Sequence, residues 1–172
     1  MASLELLQVA FNHQNIIPTL IPFIEDITHF SFLTKQLNHD LDHYLNPDRG
    51  QYDAGKILQQ FESLYDQDKA VILTSVDLFI PIFTFVFGLA KLGGNVAIVS
   101  THRLNSQYYG LPQDDHLLTE RLTKEIIHEL GHLLQLRHCI NYQCVMANSN
   151  TPDDMDIKGH RFCHVCESHI IW

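Results

Sequence analysis

Apolar residues along the chain follow two different spacings, which predict strands and helices in turn. Short apolar runs at Leu4 to Phe11, Phe30 to Leu37 and Ala70 to Thr74 are typical of buried strands. After Pro18, and again over Gln51 to Asp66, apolar residues recur every three or four positions and predict amphipathic helices. The first half of the chain therefore predicts a fold in which helices follow strands.

The second half predicts a hairpin and then a long helix. Phe83 to Phe87 is expected to be a strand, and a Gly-Gly-Asn turn folds a second short strand, Val96 to Ser100, back beside it. An antiparallel edge is the expected result. Asp114 or Asp115 can cap a helix that runs into the segment Ile127 to Met146.

Length and composition predict one domain, residues 1–172, with 45% hydrophobic residues. The longest apolar run, Val76 to Leu92, is interrupted by Asp77, Pro81 and Lys91, so no membrane span is expected. The N-terminal segment lacks a basic region and carries Glu5, which is unlike a secretion signal. A cytoplasmic protein is expected.

The charge pattern argues against nucleic acid as a partner. The net charge is −9, and the lysines and arginines are scattered along the chain, so we expect no nucleic-acid partner. We also expect no membrane partner, and a monomer is favoured.

Candidate chemistry is concentrated between Ile127 and Met146. His128, Glu129 and His132 form an HExxH pattern, which places two imidazoles on one helix face where they can bind one zinc ion. Glu129 can then act as the general base towards a zinc-activated water. His138 would lie too far along an unbroken helix to share the metal, so the helix must end just after His132 if all three bind zinc.

The four cysteines, all in the last 34 residues, predict a second metal site. They form C-x4-C and C-x2-C pairs, which suit a closed, structural zinc site. Free thiols, two disulfides or an iron–sulfur cluster are the alternatives, and His164 competes as a ligand. The cysteines are Cys139, Cys144, Cys163 and Cys166.

Met146 follows His138 by eight residues. Its place favours a role as an apolar floor beneath the zinc, although most methionines are ordinary core residues.

These motifs together resemble the archaemetzincins, a branch of the metzincin metallopeptidases. The resemblance rests on HELGHLLQLRHC, the C-x4-C-x-M that follows and the later C-x2-C, and it extends to RGQYDAGKIL, SVDLFIP and FVFGLAKLGGNVAIVSTHRL. It implies a compact α/β (α+β) fold with a mixed twisted sheet and an active-site helix. An upper subdomain of about residues 1–137 and a small lower one of about residues 138–172 would enclose a cleft.

The resemblance also implies roles for individual residues. His128, His132 and His138 would bind catalytic zinc, Glu129 would be the base and Met146 would lie in the turn beneath the metal. The four cysteines would hold a second zinc ion. Metzincins line their cleft with an edge strand that pairs with an extended substrate, and the candidate strand here consists of Val96, Ala97, Ile98, Val99 and Ser100. Its alternative role is an ordinary sheet strand.

Two features depart from the family pattern. Gln135 stands where the family has glycine, at a turn that favours a left-handed residue. Sixteen residues separate Met146 from Cys163, one fewer than the family spacing.

The predicted function is a zinc metallopeptidase of an aminopeptidase or small-peptide type, with two zinc ions per chain and a peptide or protein substrate. The alternatives are a non-catalytic zinc protein of the same fold that binds peptides, and a metal-stabilised nucleic-acid module.

Overall fold

A computed structural model describes residues 3–65 and 68–170 of the chain. Its strands and helices follow one another along the sequence. They are β1 (Ser3–Val9), α1 (Ile17–Thr28), β2 (Ser31–Leu37), β3 (Leu45–Asn46), β4 (Gln51–Asp53), α2 (Ala54–Glu62), β5 (Ala70–Thr74), β6 (Leu78–Phe79), β7 (Gly88–Ala90), β8 (Val96–Ser100), α3 (Asp115–Leu133), α4 (Pro152–Ile157) and α5 (His164–Glu167).

The larger sheet of the described residues has the strand order β2-β1-β5-β8-β7. The first four strands are parallel, and β7 pairs antiparallel with β8 at the edge. All residues of β5 and β8 are buried, as expected for parallel strands that are covered on both faces. The predicted α/β fold with a mixed sheet and an antiparallel edge is confirmed.

Side chains of β5 alternate between two hydrophobic cores. Val71 and Leu73 belong to a core that includes residues of α1 and α3. Ala70 and Ile72 belong to a second core, which includes residues of α2. Because successive side chains of a strand point to opposite faces, the sheet separates α1 and α3 from α2.

A second, smaller sheet has the strand order β3-β4-β6. β3 and β4 form a hairpin around Gly50, which has a φ of 64°. Glycine adopts this left-handed conformation without steric cost.

Two predicted elements have different bounds in the structure. The predicted helix over Gln51 to Asp66 begins at Ala54, because the Asp53 carboxylate accepts a hydrogen bond of 3.1 Å from the Lys56 N–H and caps it. The residues before Ala54 form β4. The helix ends at Glu62, and Asp66 lies outside the described residues.

The predicted strand Phe83 to Phe87 is wrong. These residues form bends and irregular backbone, with one bridge between Val86 and Leu78. The carbonyls of Phe83 and Thr84 accept hydrogen bonds from Arg49 in place of a neighbouring strand. A run of apolar residues can line a cavity as well as a sheet, and periodicity alone does not distinguish the two.

α3 is the helix around which the site is built. It begins at Asp115 and is capped by Asp114, whose carboxylate accepts a hydrogen bond of 2.9 Å from the Leu117 N–H, so one of the two predicted caps is present. It ends at Leu133, one residue past His132, as it must if all three histidines are to bind one zinc ion. All its residues from Arg121 to Gly131 are buried.

The segment after α3 is held to that helix by two cationic side chains. Arg121 forms a two-pronged ion pair with Asp156, at 2.7 and 2.6 Å. Lys124 donates a hydrogen bond of 2.9 Å to the carbonyl of Met155. Both contacts fix α4 against α3. Among the residues that the structure describes, none of the helices has the length and apolar character that crossing a bilayer requires.

Candidate active site

His128 and His132 lie one helical turn apart on α3, and each ring is oriented by a backbone carbonyl. The Nδ1 atom of His128 lies 2.8 Å from the Val145 oxygen, and the Nδ1 atom of His132 lies 2.8 Å from the Leu136 oxygen. A carbonyl can only accept, so each Nδ1 carries the proton and each Nε2 presents a lone pair. The two Nε2 atoms converge to 3.2 Å.

Two lone pairs at this distance repel each other unless a cation lies between them. Two nitrogens bound to a tetrahedral zinc ion lie about 3.3 Å apart, close to the spacing of His128 and His132. Burial lowers the pKa of both imidazoles, and for His128 well below the ordinary value of 6.5, so both stay neutral and able to bind a metal. The donor set fits zinc.

The turn after α3 brings His138 back to this pair. The N–H of Gln135 donates to the His132 carbonyl, and the N–H of Leu136 donates to the Gly131 carbonyl at 2.8 Å, which together form a Schellman motif. His138 then lies with its ring centroid 5.2 Å from His128 and 5.0 Å from His132. Nitrogens of the three rings lie within 4.8 Å of one another.

Gln135 occupies the left-handed position of this motif, with a φ of 68°. Its side chain packs on the turn before β8: a Cβ added at Gly93 would lie 3.2 Å from the Gln135 Cγ. The Gly93 N–H also donates to the His132 carbonyl, at 2.9 Å. Gln135 therefore adopts the left-handed conformation that the family pattern assigns to glycine. Its side chain also contacts the turn at Gly93.

Glu129 lies beside the histidines with one carboxylate oxygen, Oε2, buried and without a hydrogen-bond partner. Burial, and then the negative charge of Glu125 one turn earlier, raise its pKa well above the ordinary 4.5. Lys158 opposes that shift from a position where it is 2% exposed, with its Nζ 3.9 Å from the Glu125 Oε2. An unpaired buried carboxylate oxygen is costly, and a bound water or ligand would satisfy it.

Gly88 on β7 leaves room for both carboxylates. A Cβ at this position would lie 2.8 Å from the Glu129 Oε1 and 3.0 Å from the Glu125 Oε1. The absence of a side chain therefore lets the edge strand approach α3 closely.

The four cysteines also come together. Their sulfurs lie within 4.8 Å of one another, and the Cys139 and Cys163 sulfurs are 3.8 Å apart. That separation is far longer than a disulfide bond and matches the distance of about 3.8 Å between two sulfurs on a tetrahedral zinc ion. His164 is exposed and is not part of this group.

Backbone N–H groups further support thiolates at this site. The N–H of Asn141 donates to the Cys139 sulfur at 3.4 Å, and the N–H of Cys163 donates to the Cys144 sulfur at 3.3 Å. A backbone hydrogen bond from Cys166 is the main cause that lowers the pKa of the Cys163 thiol to about 7. Burial raises the pKa of the Cys144 and Cys166 thiols, and a bound metal ion would oppose that shift because its ligands are thiolates.

Met146 is fully buried beneath the site helix. Its sulfur packs so closely on Gly131 that any side chain at position 131 would overlap it. Met146 therefore lies against the turn of α3 that separates Glu129 from His132.

A cleft of about 560 Å³ opens beside the three histidines. One side consists of residues 83–90, including β7, and the other includes Lys158 and residues 148–150. The expectation that Val96, Ala97, Ile98, Val99 and Ser100 offer a free edge to this cleft is wrong. β8 lies between β5 and β7, and its unbroken apolar run reflects burial on both faces.

Sequence reasoning missed Glu125 and Lys158, both of which line the cleft. Glu125 could have been found, since it precedes Glu129 by four residues and so shares its helix face. Lys158 has no motif spacing and reaches the site because α4 folds back on α3.

Comparisons with known proteins agree with this geometry. The family model described as Peptidase family M54 matches residues 33–171. The archaemetzincin of Thermococcus kodakarensis is 41% identical over 129 residues, which cover 73% of this chain and 69% of that protein. The archaemetzincin of Pyrococcus horikoshii is 44% identical over 110 residues, 64% of this chain and 58% of that protein, so the aligned part is less than two thirds of its length.

Solved structures match over nearly the whole chain. A zinc-dependent peptidase from Methanocorpusculum labreanum superposes with a TM-score of 0.89 at 30% identity, covering 96% of this chain and 98% of that one. An archaemetzincin from Archaeoglobus fulgidus, crystallised with malonate, superposes with a TM-score of 0.83 at 32% identity, covering 97% and 99%. The chain thus belongs to Peptidase family M54, and both the predicted resemblance to the archaemetzincins and the predicted class of zinc metallopeptidase are confirmed.

Proposed function

We propose that this chain hydrolyses peptide bonds in the cleft beside His128, His132 and His138. The observation that carries the proposal is the 3.2 Å approach of the His128 and His132 Nε2 atoms, next to the unpartnered Oε2 of Glu129. This arrangement combines a metal-binding pair with a base that faces the same space. A zinc ion held by the three histidines would supply a polarised water molecule and a Lewis acid for the substrate carbonyl.

The chain's own residues account for proton transfer and substrate binding. Glu129 accepts the proton of the attacking water at Oε2 and delivers it to the leaving amine. β7 presents the outer edge of the sheet to the cleft, where its backbone groups pair with an extended peptide. In this proposal β7 takes the substrate-pairing role that the sequence had suggested for β8.

We further propose that the substrates are short peptides with a free N-terminus. A cleft of about 560 Å³ holds only a few residues. Glu125 lines it and offers a carboxylate to an α-ammonium group. Aminopeptidase action follows from this pairing.

The same proposal includes two zinc ions per chain, the second held by the four cysteines, and Met146 as the floor of the first site. It also divides the chain near residue 138 into an upper part and a metal-held lower part. We also propose a monomer, and we place it in the cytoplasm because thiolates that bind metal persist in a reducing compartment.

Digestion of a mixed peptide library tests the activity. We expect products from the zinc-loaded protein that disappear when a chelator is added. Glu129→Ala should reduce the rate at least about a hundredfold, the usual contribution of a general base. N-acetylated copies of the best substrates should be cleaved more slowly if the free amine is recognised.

Equal cleavage by the wild-type and Glu129→Ala proteins would exclude the mechanism. The alternative, a peptide-binding protein without activity, rests on the replacement of glycine by Gln135. The Schellman motif at Gln135 and the short distances to His138 favour catalysis over that alternative.

A further inference from the structure

One side of the cleft is built from a segment with little backbone pairing of its own. We call residues 80–87 the cleft wall. It connects β6 to β7, and it contacts β6 at Val86, whose N–H donates to the Leu78 carbonyl at 3.0 Å. A segment of this kind needs other contacts to keep one conformation.

Two side chains from the β3–β4 hairpin bind the exposed carbonyls of the wall. Arg49 donates to the Phe83 carbonyl at 3.0 Å and to the Thr84 carbonyl at 2.8 Å. Gln51, which is 5% exposed, donates to the same Thr84 carbonyl at 3.0 Å. These bonds satisfy backbone groups that would otherwise pair in a sheet.

Asp77 and Arg103 extend this network to the side chains of the wall. The Asp77 carboxylate accepts two hydrogen bonds of 2.7 Å from Arg103 and one of 3.0 Å from Gln51. The guanidinium carbon of Arg103 lies 4.4 Å from the ring centroid of Phe85 and 4.8 Å from that of Tyr108. A planar guanidinium that pairs with a carboxylate and stacks on a ring fixes both.

The wall that this network holds is aromatic where it faces the cleft. Phe83, Phe85 and Phe87 all line the cavity, and the last two pack edge to face with centroids 5.2 Å apart. Phe83 is 55% exposed and its neighbour Ile82 is 80% exposed, so the wall presents adjoining apolar side chains to solvent, as interaction sites do. The opposite side carries the histidines and carboxylates.

We propose that Arg49, Gln51, Asp77 and Arg103 form a clamp that positions the cleft wall, and that the wall selects peptides with a large apolar side chain beside the cleaved bond. Phe83 and Phe85 contact that side chain, whereas the clamp acts through the wall. The inference rests on the proposed function, because its ligand is the peptide of the same cleft. It also gives a role to polar residues of the RGQYDAGKIL, SVDLFIP and STHRL segments, which lie outside the metal sites.

Peptide binding to the Glu129→Ala protein tests this without cleavage. The probes are fluorescent peptides on an Ala-Gly scaffold, in which one residue, either Phe or Glu, is moved along the sequence. Anisotropy should give a Kd at least about tenfold lower for Phe than for Glu at one position, a discrimination typical of an apolar pocket. Phe85→Ala should remove most of this difference.

Arg103→Met and the milder Asp77→Asn test the clamp. Both should reduce the Phe-over-Glu preference while leaving binding of the Glu peptides unchanged. In proteins that keep Glu129, Arg103→Met should raise KM for the Phe peptide about tenfold, with kcat within about twofold, since the site that binds the apolar side chain is displaced. Arg161→Met is the matched control, because Arg161 also pairs with a carboxylate, Asp26, but lies away from the cleft.

Equal binding of Phe and Glu peptides at every position would overturn the proposal. A preference that survives Arg103→Met and Asp77→Asn but is lost in Phe85→Ala would overturn the clamp. If Arg103→Met melts too low to be assayed, Asp77→Asn decides the question. Selective binding without any hydrolysis by the wild-type protein would instead contradict the proposed catalytic function and leave this inference standing.

Discussion

The backbone N–H of Cys139 donates a hydrogen bond of 2.9 Å to the carbonyl of Met146. This bond closes the loop between the two clusters of candidate metal ligands. Within that loop, Cys144 belongs to the sulfur cluster, Val145 orients His128 through its carbonyl, and Met146 packs beneath α3. The two clusters therefore share one stretch of backbone.

We predict that Cys163→Ser destabilises the protein more than His138→Ala does. A metal ion held by the four cysteines would cross-link the segment between Cys139 and Cys166, whereas His138 lies on an exposed loop. Thermal unfolding should show a decrease in Tm of at least about 5 °C for Cys163→Ser. His164→Ala, next to the cysteine and exposed, is the control and should melt like the wild type. The reverse order of the two effects would mean that the histidine site is the structural one.

The zinc content of variants distinguishes the histidine site from the cysteine site. Elemental analysis should find about two zinc ions per chain in the wild type. The double variant His128→Ala, His132→Ala should keep about one, because the cysteines are unaffected. A double variant that loses both ions would show that the shared backbone couples the sites more tightly than the Cys139–Met146 bond suggests.

The metal-free protein should lose stability as pH falls below 6.5. Burial, and then the nearby positive charge of Lys158, hold the pKa of His128 well below that value, so folded His128 stays neutral while the unfolded imidazole binds a proton. The unfolded state then takes up more protons, and acid favours it. The contribution is complete above pH 6.5 and disappears as pH falls through the lowered folded pKa.

Urea denaturation in the presence of a chelator, at about pH 7.5 and about pH 5.5, measures this loss as about 1 kcal/mol. His128→Gln should show a smaller loss over the same interval. The comparison with this variant is needed because Glu125 and Glu129, whose pKa values are raised mainly by burial, change stability in the opposite direction. Identical acid responses of the two proteins would contradict the assignment.

Gln135→Gly should stabilise the folded protein by about 1 kcal/mol. A residue with a side chain pays a steric cost of about 1 to 2 kcal/mol in the left-handed conformation, and loss of the Gln135 contact with Gly93 offsets part of the gain. Peptidase activity should change less than about twofold, because the turn is already formed. Gln59→Gly, at an exposed helical position, is the control and should destabilise by about 1 kcal/mol. A large gain of activity in Gln135→Gly would show that the native turn holds His138 poorly.

Local patterns predicted most of the strands and the helix that carries the site. Ala70 to Thr74 and Val96 to Ser100 have the predicted bounds, because an unbroken apolar run is a strong signal for a covered strand. The end of α3 followed from the need to bring His138 back to His132. Each of these inferences used residues close together in the sequence.

The order of strands in the sheet could not be predicted from the sequence. The residues of β8 look the same whether that strand is at the edge or inside, and its position depends on where β7 pairs. Residues 83–87 of the cleft wall are apolar like a strand, and their conformation depends on Arg49, more than thirty residues away. Lys158 enters the site through the packing of α4 on α3. Long-range contacts decided all three, and single-sequence patterns do not contain them.

Gly88 lets the edge strand β7 lie close to the carboxylates of Glu129 and Glu125. The three atoms nearest to a methyl group there belong to Glu129 and Glu125. A change from glycine to alanine therefore pushes first on Glu129, the residue proposed to accept the proton. Gly88→Ala, which adds one methyl group and changes no candidate metal ligand, is therefore expected to give a metal-loaded form that binds peptides without cleaving them.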